Sequence, residues 1–143
     1  LINRYLKNPF YSYQLYLVKK NHGQQALVIF RFVKHSNSKA IRIVDYVGKN
    51  ENFKLVYHLT IHLLQKSKAE FADIYSYGIP DKNLETAGFI NKEKIKNLIV
   101  PNNYEPFEFR NSDVYCAYKS AIPIRNIRLF RGDADGDRVN QVK

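Results

Sequence analysis

At 143 residues, 45% of them hydrophobic, the chain has the length of one domain with a real core and is too short for two. No run approaches 18 apolar residues, so no transmembrane helix is expected, and a single cysteine, Cys116, excludes an internal disulfide and a cysteine-rich zinc site and fits a reducing, cytoplasmic setting. The net charge of +10 points to an anionic partner: a phosphorylated small molecule, a nucleic acid or an acidic lipid surface. Residues 1–70 hold 12 Lys or Arg against 3 Asp or Glu, and residues 71–143 hold 11 against 10, so the excess lies in the first half. A merely solvated basic face would carry the same signal. The first residue is Leu, not Met, and the expectation is one domain over 1–143 that forms the C-terminal part of a longer protein, with 126–143 as a polar tail.

Residues 1–6 read as the end of a helix closed by Asn8 and Pro9. Tyr11, Tyr13, Leu15 and Leu17 alternate with polar positions as a strand does, and Asn21, His22 and Gly23 supply a turn. Residues 26–34 are apolar on both faces except for Arg31, which predicts a central strand. A hairpin turn of Asn37, Ser38 and Lys39 would set Arg31 opposite Asp45 in the next strand, with Leu27, Ile29 and Val33 on the side of Ile41, Ile43 and Val47.

Residues 40–65 organise the rest. A strand ends at Gly48, a polar turn follows with Asn52 as the N-cap, and from Phe53 the apolar residues Leu55, Val56, Leu59, Leu63 and Leu64 recur at helical spacing. A strand feeding a helix through such a turn can make an anion site, because the first helical amides are unpaired. Further strands are expected over 71–77, 97–100 and 114–118, with a short helix over 81–87 closed by Gly88. The order β-β-β-α-β-α-β-β defines an α+β, or mixed α/β, class around one mostly antiparallel sheet with one long and one short helix.

The segment FADIYSYGIPDKNLETAGF over 71–89, together with Arg42, Ile43, Val44 and Asp45, PNNYEPF over 101–107 and GDADGDRVN over 132–140, resembles the later part of the GNAT acyltransferase fold and is similar to GNAT-like proteins of surface-polysaccharide gene clusters. The resemblance covers about residues 11–140. It implies transfer of an acyl group from acetyl-CoA or another acyl-CoA to an amine or hydroxyl, with a surface-glycan sugar as one acceptor. The central strand would pair with the donor's amides, and the turn carrying Val47, Gly48, Lys49, Asn50, Asn52 and Phe53 would hold the phosphates. Two departures stand beside this. The family's glycine-rich phosphate turn is reduced to Gly48, and its frequent acidic Tyr falls on Leu84. They open two alternatives: a non-catalytic binding module, or one half of a two-GNAT, Fem-type aminoacyltransferase that contacts tRNA. A homodimer is compatible with each.

Candidate catalytic residues follow from chemistry. Asp45, on a strand face with apolar neighbours, would be a partly buried carboxylate that either serves as a general base or pairs with Arg31. Tyr104 and Glu105 lie between Pro101 and Pro106, in a loop stiff enough to present a phenol or carboxylate or simply to pack. No metal is expected. His58 and His62 lack a third ligand, and Asp133, Asp135 and Asp137 lack the glycine and the distal glutamate of a calcium loop. The aromatics interleaved with Lys and Arg over 4–34 keep a strand period, which favours core packing over stacking on nucleic acid.

Overall fold

Three strands rich in branched and aromatic residues form the spine of the molecule in the computed structural model, which describes residues 1–20, 23, 25–102, 108–119, 121 and 127–133. The strands are β1 (Tyr13–Lys19), β2 (Gln25–His35) and β3 (Ser38–Gly48), paired antiparallel in that order. Residues 50–55 form a 3-10 turn that runs into α1 (Val56–Ser67), and α1 returns the chain to β4 (Phe71–Ile74), which lies parallel to β3. After Tyr75 comes the two-residue β5 (Ser76–Tyr77), then α2 (Asp81–Thr86); β6 (Leu129–Phe130) pairs with β5 in a separate small sheet. The class is the expected α+β, with a mostly antiparallel four-stranded sheet and few helices. Among the described residues, 97–100 and 114–118 form no strand; the last strand falls instead at Leu129–Phe130.

One face of the sheet is closed by the helices. Val28 and Phe30 of β2, with Ile41, Ile43 and Tyr46 of β3, pack against Phe53, Val56 and Leu63, and Phe130 joins them from the far end of the chain. The other face holds Ile29 and Val44 under Tyr5, which projects from a single π-helical turn (Ile2–Leu6).

The register between β2 and β3 differs from expectation at two points. The hairpin loop is the pair Ser36 and Asn37, with His35 opposite Ser38 and Ser36 at φ +52°. Ile29 faces Asp45 while Phe30 faces Ile43, so Val44 is an extra residue, a β-bulge. Two residues opposing one reverse the alternation: Ile41 and Ile43 face the helices, whereas Val44 joins the Tyr5 cluster and Val47 pairs with Leu27 on the same open face. Arg31 therefore sits opposite Arg42, and the expected Arg31–Asp45 pair does not form.

The parallel pairing of β3 with β4 covers four positions, Ala40 to Ile43 against Phe71 to Ile74, and stops just before the bulge. Beyond it, the 3-10 turn Arg131–Asp133 takes the place beside β3: a Cβ on Gly132 would meet Tyr5 Oη and come within 3.0 Å of the Val44 carbonyl. Gly78, at the β5 end, is closer still. It has φ +85°, and a Cβ there would run into the Ile127 carbonyl. We expect Gly78→Ala to lower stability by about 1–3 kcal/mol, through backbone strain and displacement of residues 127–130. An unchanged midpoint in urea unfolding would show that the β5–β6 junction is not a constraint on the fold.

Candidate functional site

The turn after β3 is built from both directions. Tyr46 is buried against Phe53, ring centroids 4.9 Å apart, and its hydroxyl donates to the Lys49 carbonyl at 2.7 Å, which folds the chain back on itself. Asn52 is not the N-cap. Lys49 holds that position in extended conformation, and Asn52 lies inside the 3-10 turn, buried, its amide donating to the Gln25 carbonyl at 3.1 Å. Two periods compete here, since a 3-10 turn entering an α-helix places its first residue two to three positions earlier than the apolar spacing suggests.

Of the residues expected to hold a donor, Phe53 is core and Asn52 ties β2 to the turn, while Lys49 is exposed and Asn50 half-buried. Val47 points to the open face of the sheet. Asn50 is clasped, its carbonyl accepting from the Asn83 side chain at 2.7 Å. Sequence reasoning missed Arg128, whose guanidinium donates to the Gly48 carbonyl and reaches Asn50 Oδ1 at 3.4 Å. It lies 80 residues from Gly48, and only the long return of the chain brings it there. The turn thus gathers two basic side chains, Lys49 and Arg128, at the start of a helical segment, an arrangement suited to an anion.

Asp45 is close by but committed. Its Oδ2 accepts from Tyr5 Oη at 2.7 Å and its Oδ1 from the Tyr46 amide at 2.7 Å. Burial, and after it the bond to the Asp45 carboxylate, push the Tyr5 phenol well above its ordinary range, so at neutral pH it stays a donor. The bulge makes this pair possible because it turns Val44 and Asp45 toward the same face as Tyr5.

A second group of charges lies further along that face. Arg42, 1% exposed, donates to the Pro101 carbonyl at 2.7 Å and the Asn102 carbonyl at 2.6 Å. Asp73, 5% exposed, stands 3.8 Å from Arg42 Nε and 3.8 Å from Arg131, which also reaches Asn102 Oδ1 at 3.1 Å. Arg31 stacks over Tyr11 at 3.9 Å and Arg131 over Tyr75 at 4.0 Å. Desolvation lowers the Arg42 pKa, with Asp73 opposing and Arg131 and Arg31 adding to the fall. Tyr104 and Glu105 lie outside the described residues, as do Asp135 and Asp137. His58 and His62 are exposed on α1, and no group of three or more potential metal ligands occurs among the described residues.

Chemically, the neighbourhood offers an exposed basic turn, a phenol–carboxylate pair in which the carboxylate already accepts two hydrogen bonds, and a buried arginine group that anchors Pro101 and Asn102. No protein-family model matches the chain, and no curated protein and no solved structure matches it.

Two measurements probe these environments. Burial pushes the Tyr46 phenol up to about 12 from 10.0, so folding favours its protonated form. That contribution is complete below pH 10.0, the unfolded value, and is lost as pH rises toward about 12. Stability measured by urea unfolding should fall over this window, and Tyr46→Phe should make the fall shallower, leaving the part due to Tyr5. A slope identical in both proteins would remove Tyr46 as a source. Separately, Arg42→Met should cost about 3–5 kcal/mol, because it leaves Asp73 with less compensation and takes the donors from two carbonyls. A loss under about 1 kcal/mol would mean that water replaces the guanidinium.

Proposed function

We propose that the chain is a GNAT-like acyltransferase domain that takes an acyl-CoA, or a similar phosphorylated donor, and passes the acyl group to an amine or hydroxyl such as that of a surface-glycan sugar. The observation that carries this is the β3–turn–α1–β4 unit: two parallel strands share four positions, and β3 then continues past its bulge into a turn where Lys49 and Arg128 gather. Lys49, Arg128 and the open amides of that turn would hold the donor's phosphates. The donor supplies an activated thioester. Attack by the acceptor forms the new C–N or C–O bond as the C–S bond breaks, the thiolate leaves, and the acceptor's proton passes to a base. Asp45, or a water that it orients, would take that proton, with Tyr5 holding the carboxylate in place.

One observation favours a second reading, a GNAT-like module that binds without catalysis. The Arg131–Asp133 turn already lies against Val44, where the arm of a donor would have to pair with β3, and Leu84 offers no proton to a leaving thiolate. A tRNA-contacting half of a larger aminoacyltransferase rests on the charge asymmetry alone.

Titration of the ¹⁵N-labelled chain with CoA separates these. The acyl-donor assignment expects saturable amide shifts concentrated at 48–52, and weakening of about tenfold in Lys49→Ala, the loss of one phosphate contact. Binding with no turnover of acetyl-CoA, whatever amine or sugar is offered, would leave the non-catalytic module. No shift at about millimolar CoA would remove the donor altogether.

A further inference from the structure

We propose that the open face of the sheet is a docking surface for an anionic lipid bilayer, with the protein lying on the membrane rather than crossing it. The register of β1, β2 and β3 arranges this face in rows, of which the first two are covered. Tyr13, Arg31 and Arg42 form one row, closed by the arginine and tyrosine stacks. Leu15 and Ile29, with Val44, form the next, closed by Tyr5. The third row is Leu17, Leu27 and Val47, and it lies at the surface: Leu17 is 55% and Val47 49% exposed. A row of Lys19 and Gln25 follows, with Lys49 just beyond the end of β3. Beside the bare row stands the π-helical turn that carries Tyr5, and its outer side exposes Ile2 and Leu6.

Charge selects the partner. Among the described residues of this face the carboxylates are Asp45, which accepts from Tyr5, Asp73, buried between Arg42 and Arg131, and Asp133, paired with Arg4 at 3.1 Å. Lys7, Lys19, Lys20 and Lys49 are exposed, and among the described residues none of them is in an ion pair. Aliphatic side chains with Lys19 and Lys49 at the end of their row, and Lys7 directly after the helical turn, match a bilayer interface: the apolar groups enter the acyl boundary, and the lysines extend along it to negative headgroups. The apolar groups also stand at two levels, on the helical turn and on the sheet row, and a fluid lipid layer fills such a step without needing a matching rigid surface. No helix of the described residues is long and apolar enough to cross a membrane, so the contact is interfacial.

The test is co-sedimentation of the full chain with vesicles of phosphatidylcholine alone and of phosphatidylcholine mixed with phosphatidylglycerol. Binding is expected only to the mixed vesicles and should weaken as salt is raised, with Lys7→Ala and Lys19→Ala each weakening it about fivefold, the share of one surface lysine. The chain has no tryptophan, so Leu17→Trp gives a single emission signal that should shift to the blue on the mixed vesicles as the indole enters lipid. Val47→Asp, at an exposed position, should abolish sedimentation with the circular dichroism unchanged; if that variant unfolds, the Leu17→Trp emission still decides. Equal binding to both vesicle types, no binding to either, or an indole emission that ignores lipid would overturn the proposal. So would a concentration-dependent dimer that Leu17→Asp abolishes while vesicles are ignored, which would assign the face to a second copy of the chain.

Discussion

The Asp73 carboxylate, buried between Arg42 and Arg131, is the interaction on which the arrangement of the second half depends. It lies on β4, Arg42 on β3 and Arg131 in the last described turn, so one carboxylate ties the paired strands to the returning end of the described chain. Burying these ions costs solvation, and a separation of 3.8 Å recovers only part of that by direct attraction. The rest comes from hydrogen bonds. Arg42 supplies donors to the Pro101 and Asn102 carbonyls, in a stretch with no ladder of its own to satisfy them. Guanidinium and irregular backbone thus settle each other's polar groups, and Pro101 and Asn102 are held at the sheet without being part of it.

The bulge at Val44 acts at the same junction in a different way. By adding one residue to β3 it turns Val44 and Asp45 together toward Tyr5, and it falls where β4 leaves β3. The gap this leaves beside β3 accepts the Arg131–Asp133 turn, which approaches so near that a Cβ at 132 would strike Tyr5 Oη and press on the Val44 carbonyl. Strand irregularity, parallel crossover and terminal segment are therefore one geometric event. It sets both the surroundings of the Asp45 carboxylate and the segment that lies against the neighbouring backbone.

Periodicity made most of the fold legible. The three meander strands and the long helix appear close to where alternation or helical spacing placed them, and the short helix where its Gly88 stop put it. What alternation cannot reveal is a single inserted residue: Ile41, Ile43 and Val47 read as one face, yet Val47 lies on the other side, while the false pairing of Arg31 with Asp45 came from the length of the hairpin loop. The hairpin misled for a related reason, since Ser36 accepts a left-handed backbone that its own chemistry does not advertise. Residues 114–118 have the composition of a strand but gain no strand partner among the described residues, whereas Leu129 and Phe130, set in a polar stretch, pair with β5. At the candidate site, Lys49 was legible as an exposed basic residue of the turn. Arg128, Tyr5 and the arginine group were not, because each gains its meaning from a contact across 40 or more residues.

That separation bears on the order in which the molecule comes together. The meander and α1 join neighbours in sequence, so their closure costs little chain entropy, while Phe130 must return across more than half the chain to reach β3, and Arg131 from beyond α2 to reach the buried carboxylate. Contacts of such long range form late, after the transition state has gathered the local strands. Weakening them should leave the refolding rate nearly untouched and steepen the escape from the native state, so residues 128–133 set how long the folded molecule lasts more than how quickly it forms.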